Sequence, residues 1–317
     1  MEVKRLSIVT PVYNRADCII QCLKSVANQA TPSDWEIEHL VTDDGSSDTT
    51  PDKVEEYSLT HPLVKFSKLP KNRGTNGARN EAIARASGRW IVFLDSDDVM
   101  LPGAVDTICR TIDANPHMQH FLFATDDTIH LRSNLGKHKV LEYEDFLFER
   151  IKGDFVHVLQ RQNLLKLPFR EDLRIFEGIF FLFYYKEAGS VLYSSEVIYH
   201  RNRERTDHVT YSLGMTNDKA LKTKLASKQL LAELYSDDYK KSEDGLNILT
   251  GHLLTIHRLA VLINNKEAVQ LAKSGLTEIG RKAPLAERIV YSCRTGYAIW
   301  TIIKLAVRIK RFLKRQL

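Results

Sequence analysis

The sequence predicts an α/β fold, in which helices flank a mostly parallel sheet, followed by an all-helical C-terminal extension. Over roughly the first 125 of the 317 residues, short apolar runs alternate with segments of helical periodicity. Single helices between successive strands are typical of parallel sheets. From about Lys219 onward, the pattern is that of helices alone.

The predicted strands of this first part are short and apolar, and a polar residue or a proline follows each of them. They are Leu6–Thr10, Ile37–Val41, Val64–Leu69, Trp90–Leu94 and His120–Ala124. The intervening helices are predicted from apolar residues at helical spacing or from alanines. They are Asp17–Gln29, Thr49–Tyr57, Asn76–Ala86 and Pro102–Ala114.

The pattern between residues 126 and 215 is less regular. Phe176–Tyr185 is apolar and aromatic, which predicts a buried helix, and Val191–His200 is a candidate strand. We expect a first domain at 1–215, with halves at 1–115 and 116–215, and a helical extension at 216–317.

The charge of the chain is unevenly distributed. In total, 45 Lys and Arg residues stand against 40 Asp and Glu residues, for a net charge of +5. Residues 288–317 hold eight of the basic residues and no acidic one, so the rest of the chain is slightly acidic. An acidic body disfavours a nucleic-acid-binding protein, and we expect no nucleic-acid partner.

Residues 302–313 predict a basic amphipathic helix, because apolar and basic side chains fall on different faces. The apolar face holds Ile302, Leu305, Ala306, Ile309, Phe312 and Leu313. Such a helix suits an anionic bilayer, so we expect residues 288–317 to lie on a membrane surface. The alternative is that this helix packs on the rest of the chain or on a second copy.

The cysteines and the apolar runs favour a cytoplasmic protein. Cys18, Cys22, Cys109 and Cys293 are too few and too scattered for a disulfide framework and indicate reduced thiols. The segment after Met1 is only briefly apolar, so we expect no signal peptide. No apolar run reaches the roughly 20 residues that a membrane-spanning helix needs.

Polar side chains follow three of the predicted strands. They are Tyr13-Asn14, Asp43-Asp44 and Asp95-Ser96-Asp97. In open α/β sheets, ligands bind beyond the carboxyl ends of the strands, so these clusters should meet at one edge. Two carboxylates that flank one residue favour a divalent cation, and Mg²⁺ or Mn²⁺ suits such oxygen ligands. The alternative for this acidic motif is a loop with capping aspartates.

Four segments in order extend this pattern, and together they resemble the family 2 glycosyltransferases. The segments are Ser7–Asn14, Val41–Asp48, Asn72–Gly74 with Ala78–Asn80, and Phe93–Asp98. The resemblance covers residues 4–210 approximately and is thinner beyond Pro116. It implies the Rossmann-like GT-A fold, with a nucleotide-binding half at 1–115 and an acceptor-binding half at 116–215.

The resemblance implies a site for a UDP-sugar. Tyr13 would lie against uracil and Asp44 would accept a hydrogen bond from the uracil imide, which favours uridine over guanosine donors. The implied nucleotide-sugar-binding set is Pro11, Val12, Tyr13, Asp44, Asn72, Gly74, Arg79, Asp95 and Ser96. The alternatives are a core aromatic for Tyr13, a turn residue for Asp44 and a surface charge for Arg79.

The resemblance also implies a divalent metal, Mn²⁺ or Mg²⁺. Asp97 would coordinate the ion, and Asp95 would touch the ribose or the metal shell, with Asp98 as a third carboxylate. His208 or His200 is a possible further ligand. The arginines that follow His200 could close over the diphosphate, or they could form a solvated basic loop. They are Arg201, Arg203 and Arg205.

The implied reaction is inverting transfer of a sugar to an acceptor hydroxyl, for which a general base takes the proton. The family places this base in a Glu-Asp pair, but the aligned residues here are Glu177 and Gly178. Glu177 is therefore the expected base, with Asp172 or Glu171 as alternatives. If none of them serves, the chain binds nucleotide sugar with weak or no turnover.

These features predict a glycosyltransferase of the hexosyltransferase type that builds a bacterial surface polysaccharide or another glycan. The expected partners are a UDP-sugar donor, a glycan or lipid-linked sugar acceptor, and the inner face of the plasma membrane. A sugar-nucleotide pyrophosphorylase is disfavoured, because Thr10–Asn14 is not the glycine-rich phosphate loop that it would need.

Overall fold

The computed structural model describes residues 4–125, 128–202 and 218–283. The chain divides into two compact units, Met1–Arg205 and Thr206–Leu317. The expected domain boundaries at 115/116 and 215/216 stay predictions. The second of them falls within residues 203–217, which lie outside the described ranges.

Strands and helices alternate along the first unit. The strands are β1 (Lys4–Val12), β2 (Trp35–Asp43), β3 (Val64–Lys68), β4 (Trp90–Phe93), β5 (Val99–Met100), β6 (His120–Ala124), β7 (His138–Glu142), β8 (Val156–Gln160), β9 (Ser190–Val197) and β10 (Tyr199–His200). The helices are α1 (Ile19–Ala27), α2 (Thr50–Thr60), α3 (Gly74–Arg85), α4 (Ala104–Ala114), α5 (Arg132–Leu135), α6 (Tyr143–Leu147), α7 (Arg161–Lys166) and α8 (Gly178–Ala188). Short 3₁₀ turns lie at Ile129–Leu131 and Glu171–Leu173.

The main sheet confirms the predicted α/β class. Eight strands lie in the order β3-β2-β1-β4-β8-β6-β9-β7. β1 to β4 are parallel, β8 is antiparallel to both β4 and β6, and β9 is parallel to β6. β7 pairs antiparallel with β9 at the edge. Only β7 and β8 therefore run against the other six strands, and the sheet is mostly parallel.

The centre of the sheet is apolar on both faces, as expected for a sheet covered by helices on each side. In β1, every residue from Leu6 to Val12 is buried, and all of β6 is buried as well. The apolar faces of α1 and α4 pack in the same core through Leu23 and Ile108. This core fixes the strand ends from which the polar clusters project.

Two predicted boundaries differ from the structure for local reasons. The helix expected at Pro102–Ala114 begins at Ala104, because Gly103 adopts a left-handed conformation (φ +80°) at its N-terminus. The strand expected at Val191–His200 breaks after Val197, and Tyr199–His200 pairs antiparallel with Val99–Met100 instead. That pairing brings the chain after β10 beside the acidic motif that follows β4.

A buried carboxylate links three strands and the turn before β4. Glu38 accepts hydrogen bonds from Ser7 Oγ at 2.6 Å and from the backbone N–H groups of Ser87 and Gly88 at 2.6 and 3.1 Å. It also pairs with Lys65 on β3. Burial alone would raise the pKa of Glu38, but the hydrogen bonds outweigh it and lower the pKa to about 2.

The described part of the second unit confirms the helical extension. It contains α9 (Asp218–Tyr239), α10 (Glu243–Leu262) and α11 (Lys266–Glu278). Ser242 and Asn265 cap α10 and α11 by accepting backbone N–H groups at 3.0 Å. None of the helices in the described residues combines the length and apolarity needed to cross a bilayer. The expected amphipathic helix at 302–313 lies outside these residues.

We expect Glu38→Gln to lower the free energy of unfolding by about 2 kcal/mol at pH 7, because a buried, charge-assisted network is broken. The folded-state pKa lies below the ordinary 4.5, so the charge stabilises the fold above pH 4.5 and ceases to do so as the pH falls toward 2. Denaturant titrations between pH 7 and pH 3 measure the free energy of unfolding. In the variant, this free energy should fall less steeply than in the wild type as the pH is lowered.

Glu55→Gln is the matched control, since Glu55 forms an exposed ion pair with Lys68. Equal losses of stability in the two variants would contradict the role assigned to the Glu38 network.

Candidate active site

The carboxyl ends of β1, β2 and β4 lie side by side. Val12 pairs with Asp43 across β1 and β2, and the N–H of Asp44 donates to the carbonyl of Val12 at 2.8 Å. On the other side of β1, the N–H of Leu94 donates to Val9 at 3.0 Å. The polar clusters that follow these strands therefore share one edge of the sheet.

An exposed aromatic ring and a buried carboxylate stand together at the ends of β1 and β2. Tyr13 is 44% exposed, so it is not a core residue, while Pro11 and Val12 before it are buried. Asp44 is almost fully buried and accepts the backbone N–H of Arg73 at 2.6 Å. Burial is the main cause that raises the pKa of Asp44, and the N–H groups oppose it.

Asparagine side chains and one close backbone approach hold the surrounding loops together. The Oδ1 of Asn14, a residue with φ +50°, accepts the N–H of Ser47 at 2.8 Å and thereby joins the loops after β1 and β2. Gly45 has φ +74°, and a Cβ there would lie 3.0 Å from the backbone N of Asn72. The Oδ1 of Asn72 accepts the N–H of Gly74 at 3.2 Å. The segment before α3 is therefore fixed beside Asp44.

Arg79 connects α3 with the acidic motif. Its side chain is only 14% exposed, which excludes a simple surface charge. It donates to Asp95 Oδ1 at 2.9 Å, lies 3.8 Å from Glu177 Oε1 and sits 5.4 Å above the Phe93 ring. Burial lowers the pKa of Arg79, but the two carboxylates more than compensate and raise it. A cation in this place suits a diphosphate.

The carboxylates of the acidic motif have different surroundings. Asp95 is 51% exposed, and Asp97 Oδ2 lies 3.8 Å from Arg15 Nε. Asp98 is buried and accepts the N–H of Asn202 at 3.0 Å. Burial, followed by the charge of Asp95, raises the pKa of Asp98 to about 8. Asp98 therefore anchors the chain after β10, whereas Asp95 is half exposed and Asp97 is 18% exposed.

The donor set fits a hard divalent cation. Carboxylate oxygens suit Mg²⁺ and Mn²⁺, which proteins often hold with one or two carboxylates while substrate phosphates and water complete the shell. Among the described residues, no three His, Cys, Asp or Glu side chains form a complete metal cage. A cation held by Asp95 and Asp97 would therefore share its shell with the ligand.

The remaining residues of the predicted metal site are placed only in part. Ser96 is buried, and its carbonyl accepts the thiol of Cys18 at 3.8 Å. His200 is exposed in β10, opposite Val99. His208, Arg203 and Arg205 lie outside the described residues.

The three candidate bases have different partners. Glu171 pairs with Arg73, and Asp172 pairs with Arg170 at 2.7 Å. Glu177 is 19% exposed, precedes α8 and lines a cavity of about 460 Å³ together with Arg79 and Asp95. Of the three, Glu177 is thus the carboxylate that lines the cavity with Arg79 and Asp95.

The backbone around Glu177 is unusual. Ile175 has φ +68°, which is strained for a β-branched residue, and its N–H donates to Glu177 Oε1 at 3.1 Å. Gly178 also lines the cavity, and a Cβ built on it would meet no atom within 4 Å. There is therefore room at position 178 for the carboxylate that the sequence lacks.

Comparison with known proteins agrees with this geometry. Residues 7–161 match the model of the family described as glycosyl transferase family 2. The chain carries a family 2 glycosyltransferase domain. The matched range runs from within β1 to the end of β8 and includes the clusters after β1, β2 and β4. The base candidates in the segment before α8 lie outside the match.

A curated relative supports the assignment along more of the chain. It is the GalNAc(5)-diNAcBac-PP-undecaprenol beta-1,3-glucosyltransferase of Campylobacter jejuni, which is 29% identical over 250 residues. The alignment covers 76% of this chain and 77% of the relative. Homologues of this glycosyltransferase domain thus function in bacterial lipid-linked glycan synthesis.

Two solved structures share the GT-A fold of this glycosyltransferase. S. aureus TarS residues 1–349 in complex with UDP-GlcNAc has a TM-score of 0.57 at 18% identity, covering 88% of this chain and 93% of that one. The mannosyltransferase PcManGT from Pyrobaculum calidifontis, with GDP-Man and Mn²⁺, has a TM-score of 0.55 at 16% identity, covering 95% and 87%. At these identities, the likeness establishes the fold.

Sequence reasoning missed three charged residues of the glycosyltransferase site. Arg15 lies beside Asp97, and its position directly after Tyr13-Asn14 was a signal that could have found it. The charges of Asp44 and Glu177 both act on Arg174, although burial is the main cause that lowers its pKa. Asp154 lines the cavity from the segment before β8, where no motif marks it.

Proposed function

We propose that this glycosyltransferase transfers a sugar from a UDP-sugar to an acceptor hydroxyl, with metal dependence and inversion at the anomeric carbon. The observation that carries the proposal is one shared sheet edge. Tyr13 and Asp44 stand at its β1–β2 end, and Arg79, Asp95 and Glu177 stand at its β4 end. A nucleoside diphosphate sugar has its base and its sugar at opposite ends and matches this order.

The β1–β2 end supports recognition of uracil. The exposed ring of Tyr13 offers a stacking face, and base–aromatic stacking contributes about 1–3 kcal/mol. Asp44 offers a carboxylate acceptor to the N–H of the uracil imide, while Arg73 holds that carboxylate in place. Pro11, Val12, Asn72 and Gly74 complete the walls of this proposed pocket. The solved TarS complex contains UDP-GlcNAc, which agrees with a uridine donor.

The β4 end supports binding of the diphosphate. Asp97 and Asp95 would hold Mn²⁺ or Mg²⁺, with Ser96 between them, and the Mn²⁺ complex of PcManGT is consistent with this. Such a cation would offset the negative charge that develops on the leaving diphosphate. Arg79 and Arg15 add positive charge at the same place.

Glu177 is the proposed general base. It would take the proton of the acceptor hydroxyl while the hydroxyl oxygen bonds to the anomeric carbon and the bond to the diphosphate oxygen breaks. Arg79 and the N–H of Ile175 fix the position of its carboxylate. No covalent enzyme intermediate is needed, and the single displacement inverts the anomeric centre.

The proposed acceptor is a glycan or a lipid-linked sugar in the synthesis of a bacterial surface polysaccharide or another glycan. The name of the C. jejuni relative specifies an undecaprenol-linked acceptor. An acceptor of this kind would place the protein on the cytosolic face of the plasma membrane, with residues 288–317 as the contact.

The glycine at position 178 favours one alternative. The family places a carboxylate there, so the chain could bind nucleotide sugar with weak or no turnover. Donor binding and turnover therefore have to be measured separately.

We expect UDP with Mn²⁺ to raise the melting temperature more than GDP with Mn²⁺ does, because a ligand of the native state stabilises it. Asp44→Asn should weaken UDP binding about tenfold, which is about 1.4 kcal/mol, and Asp97→Ala should remove the effect of Mn²⁺. Thermal-shift and calorimetric titrations measure both. Glu55→Gln serves as the control. Equal shifts by UDP and GDP would show that the base assignment is wrong.

We expect Glu177→Gln to lower kcat by about 10²–10⁴-fold, as for removal of a general base, and to leave UDP binding unchanged. Because position 178 has open space, adding Gly178→Asp to this variant should restore part of the turnover. Single-turnover assays of sugar transfer measure both effects. If Glu171→Gln or Asp172→Asn lowers kcat as much as Glu177→Gln does, the base lies elsewhere.

A further inference from the structure

We propose that Asn80 on α3 is a positioning residue for the proposed base, because it fixes Phe169 and, through Phe169, the backbone of Glu177. This inference rests on the proposed glycosyltransferase function and deepens it. Asn80 itself does not line the cavity, so its effect on the reaction would pass through these neighbours.

Asn80 pairs with the backbone of Phe169 in both directions. Its Nδ2 donates to the Phe169 carbonyl at 2.7 Å, and its Oδ1 accepts the Phe169 N–H at 3.0 Å. The side-chain amide thus satisfies both backbone groups of one residue, as a neighbouring strand would. One turn earlier on α3, the fully buried Asn76 donates to the carbonyl of Arg170 at 2.9 Å. One face of α3 therefore holds two successive residues of the segment before Glu177.

A glycine between the two asparagines allows this segment to lie close to α3. A Cβ on Gly77 would lie 2.5 Å from the Cβ of Arg73 and 3.4 Å from the carboxyl carbon of Glu171. Arg73 and Glu171 form an ion pair with each other. A side chain at position 77 would therefore crowd both members of the pair that joins α3 to the segment.

Phe169 connects this segment to the first turn of α8. Its ring is buried and packs edge to face on Phe180 and Phe181, with ring centroids 5.5 and 5.9 Å apart. The N–H groups of the same two residues donate to the carbonyl of Glu177 at 2.9 and 3.1 Å. A displaced Phe169 would therefore move the turn that begins at Glu177.

Two neighbouring residues of α3 thus hold Glu177 at both ends. Arg79 lies 3.8 Å from its carboxylate, and Asn80 holds its backbone through Phe169. A general base has to lie within hydrogen-bond reach of the hydroxyl, and a misplacement of about 1 Å can lower the rate about 10²-fold. Gly178, the next residue, offers no second carboxylate that could take over. The rate of transfer should therefore depend strongly on where Glu177 is held.

The test measures single-turnover sugar transfer and UDP binding in the wild type, Asn80→Ala, Glu177→Gln and the double variant. UDP-Glc, UDP-Gal, UDP-GlcNAc and UDP-GalNAc serve as donors with Mn²⁺, and methyl glycosides of these sugars serve as acceptors. We expect Asn80→Ala to lower the rate constant of transfer at least tenfold and to change the Kd of UDP less than twofold. In the Glu177→Gln background, the same change should lower the rate constant less than twofold, because no base is left to position.

Hydrogen exchange provides a readout that does not depend on turnover. The amides of Phe180 and Phe181 should exchange at least tenfold faster in Asn80→Ala than in the wild type. Asn80→Gln keeps the side-chain amide, so it should recover part of both the rate and the protection. It also takes the place of Asn80→Ala if that variant does not fold.

The matched control is Asn115→Ala. Asn115 follows α4 and also donates from its Nδ2 to a backbone carbonyl, that of Thr111, at 2.9 Å. This variant should change neither the rate constant of transfer nor the exchange of the Phe180 and Phe181 amides. Equal effects of Asn115→Ala and Asn80→Ala would show general destabilisation and overturn the inference.

The proposed function and this inference fail on different results. If UDP does not bind, or if Glu177→Gln transfers sugar at the wild-type rate, the proposed function is wrong. If UDP binds and Glu177→Gln is slow, a normal rate in Asn80→Ala or an equal further loss in the double variant overturns this inference alone. Unchanged exchange of the Phe180 and Phe181 amides overturns it whether or not any donor is transferred.

Discussion

Asp95, Asp97 and Asp98 are three carboxylates within four residues of one loop, and they repel each other. The organisation of the site depends on how the protein offsets this repulsion. Arg79 donates to Asp95, and Arg15 lies beside Asp97. Asp98 is compensated differently, because burial raises its pKa to about 8 and a backbone N–H binds its oxygen. Asp95 and Asp97 therefore each lie next to an arginine, an arrangement that suits a cation and a diphosphate together.

These compensating contacts also connect the acidic loop to the rest of the cavity. Arg79 extends from Asp95 to Glu177, so the proposed base is positioned by the same cation as the motif. Through Asn202, Asp98 holds the chain after β10, and that chain carries Arg201 toward Asp154. The acidic loop thus connects Arg79 and Glu177 with Arg201, and all three line the cavity.

Much of the fold could be predicted from the sequence, because apolar runs and helical periodicity are local signals. β1 and β2 were predicted within two residues at each end. β7 was missed because its segment, His138–Glu142, is mostly exposed and charged, as edge strands often are. The absence of a carboxylate at Gly178 was visible in the sequence, but the open space around it was not. Asp154 reaches the cavity through antiparallel pairing of β8 with β4 and β6, which no local pattern encodes.

The central claim is that one edge of the sheet holds a uridine diphosphate from its base to its phosphates. A crystal structure of the full chain with UDP and Mn²⁺ tests it most directly. The account predicts the uracil ring against Tyr13 with its imide on Asp44, the cation on Asp97, and the diphosphate near Arg79. A uracil bound away from Tyr13 and Asp44, or a cation that contacts neither Asp95 nor Asp97, would contradict it.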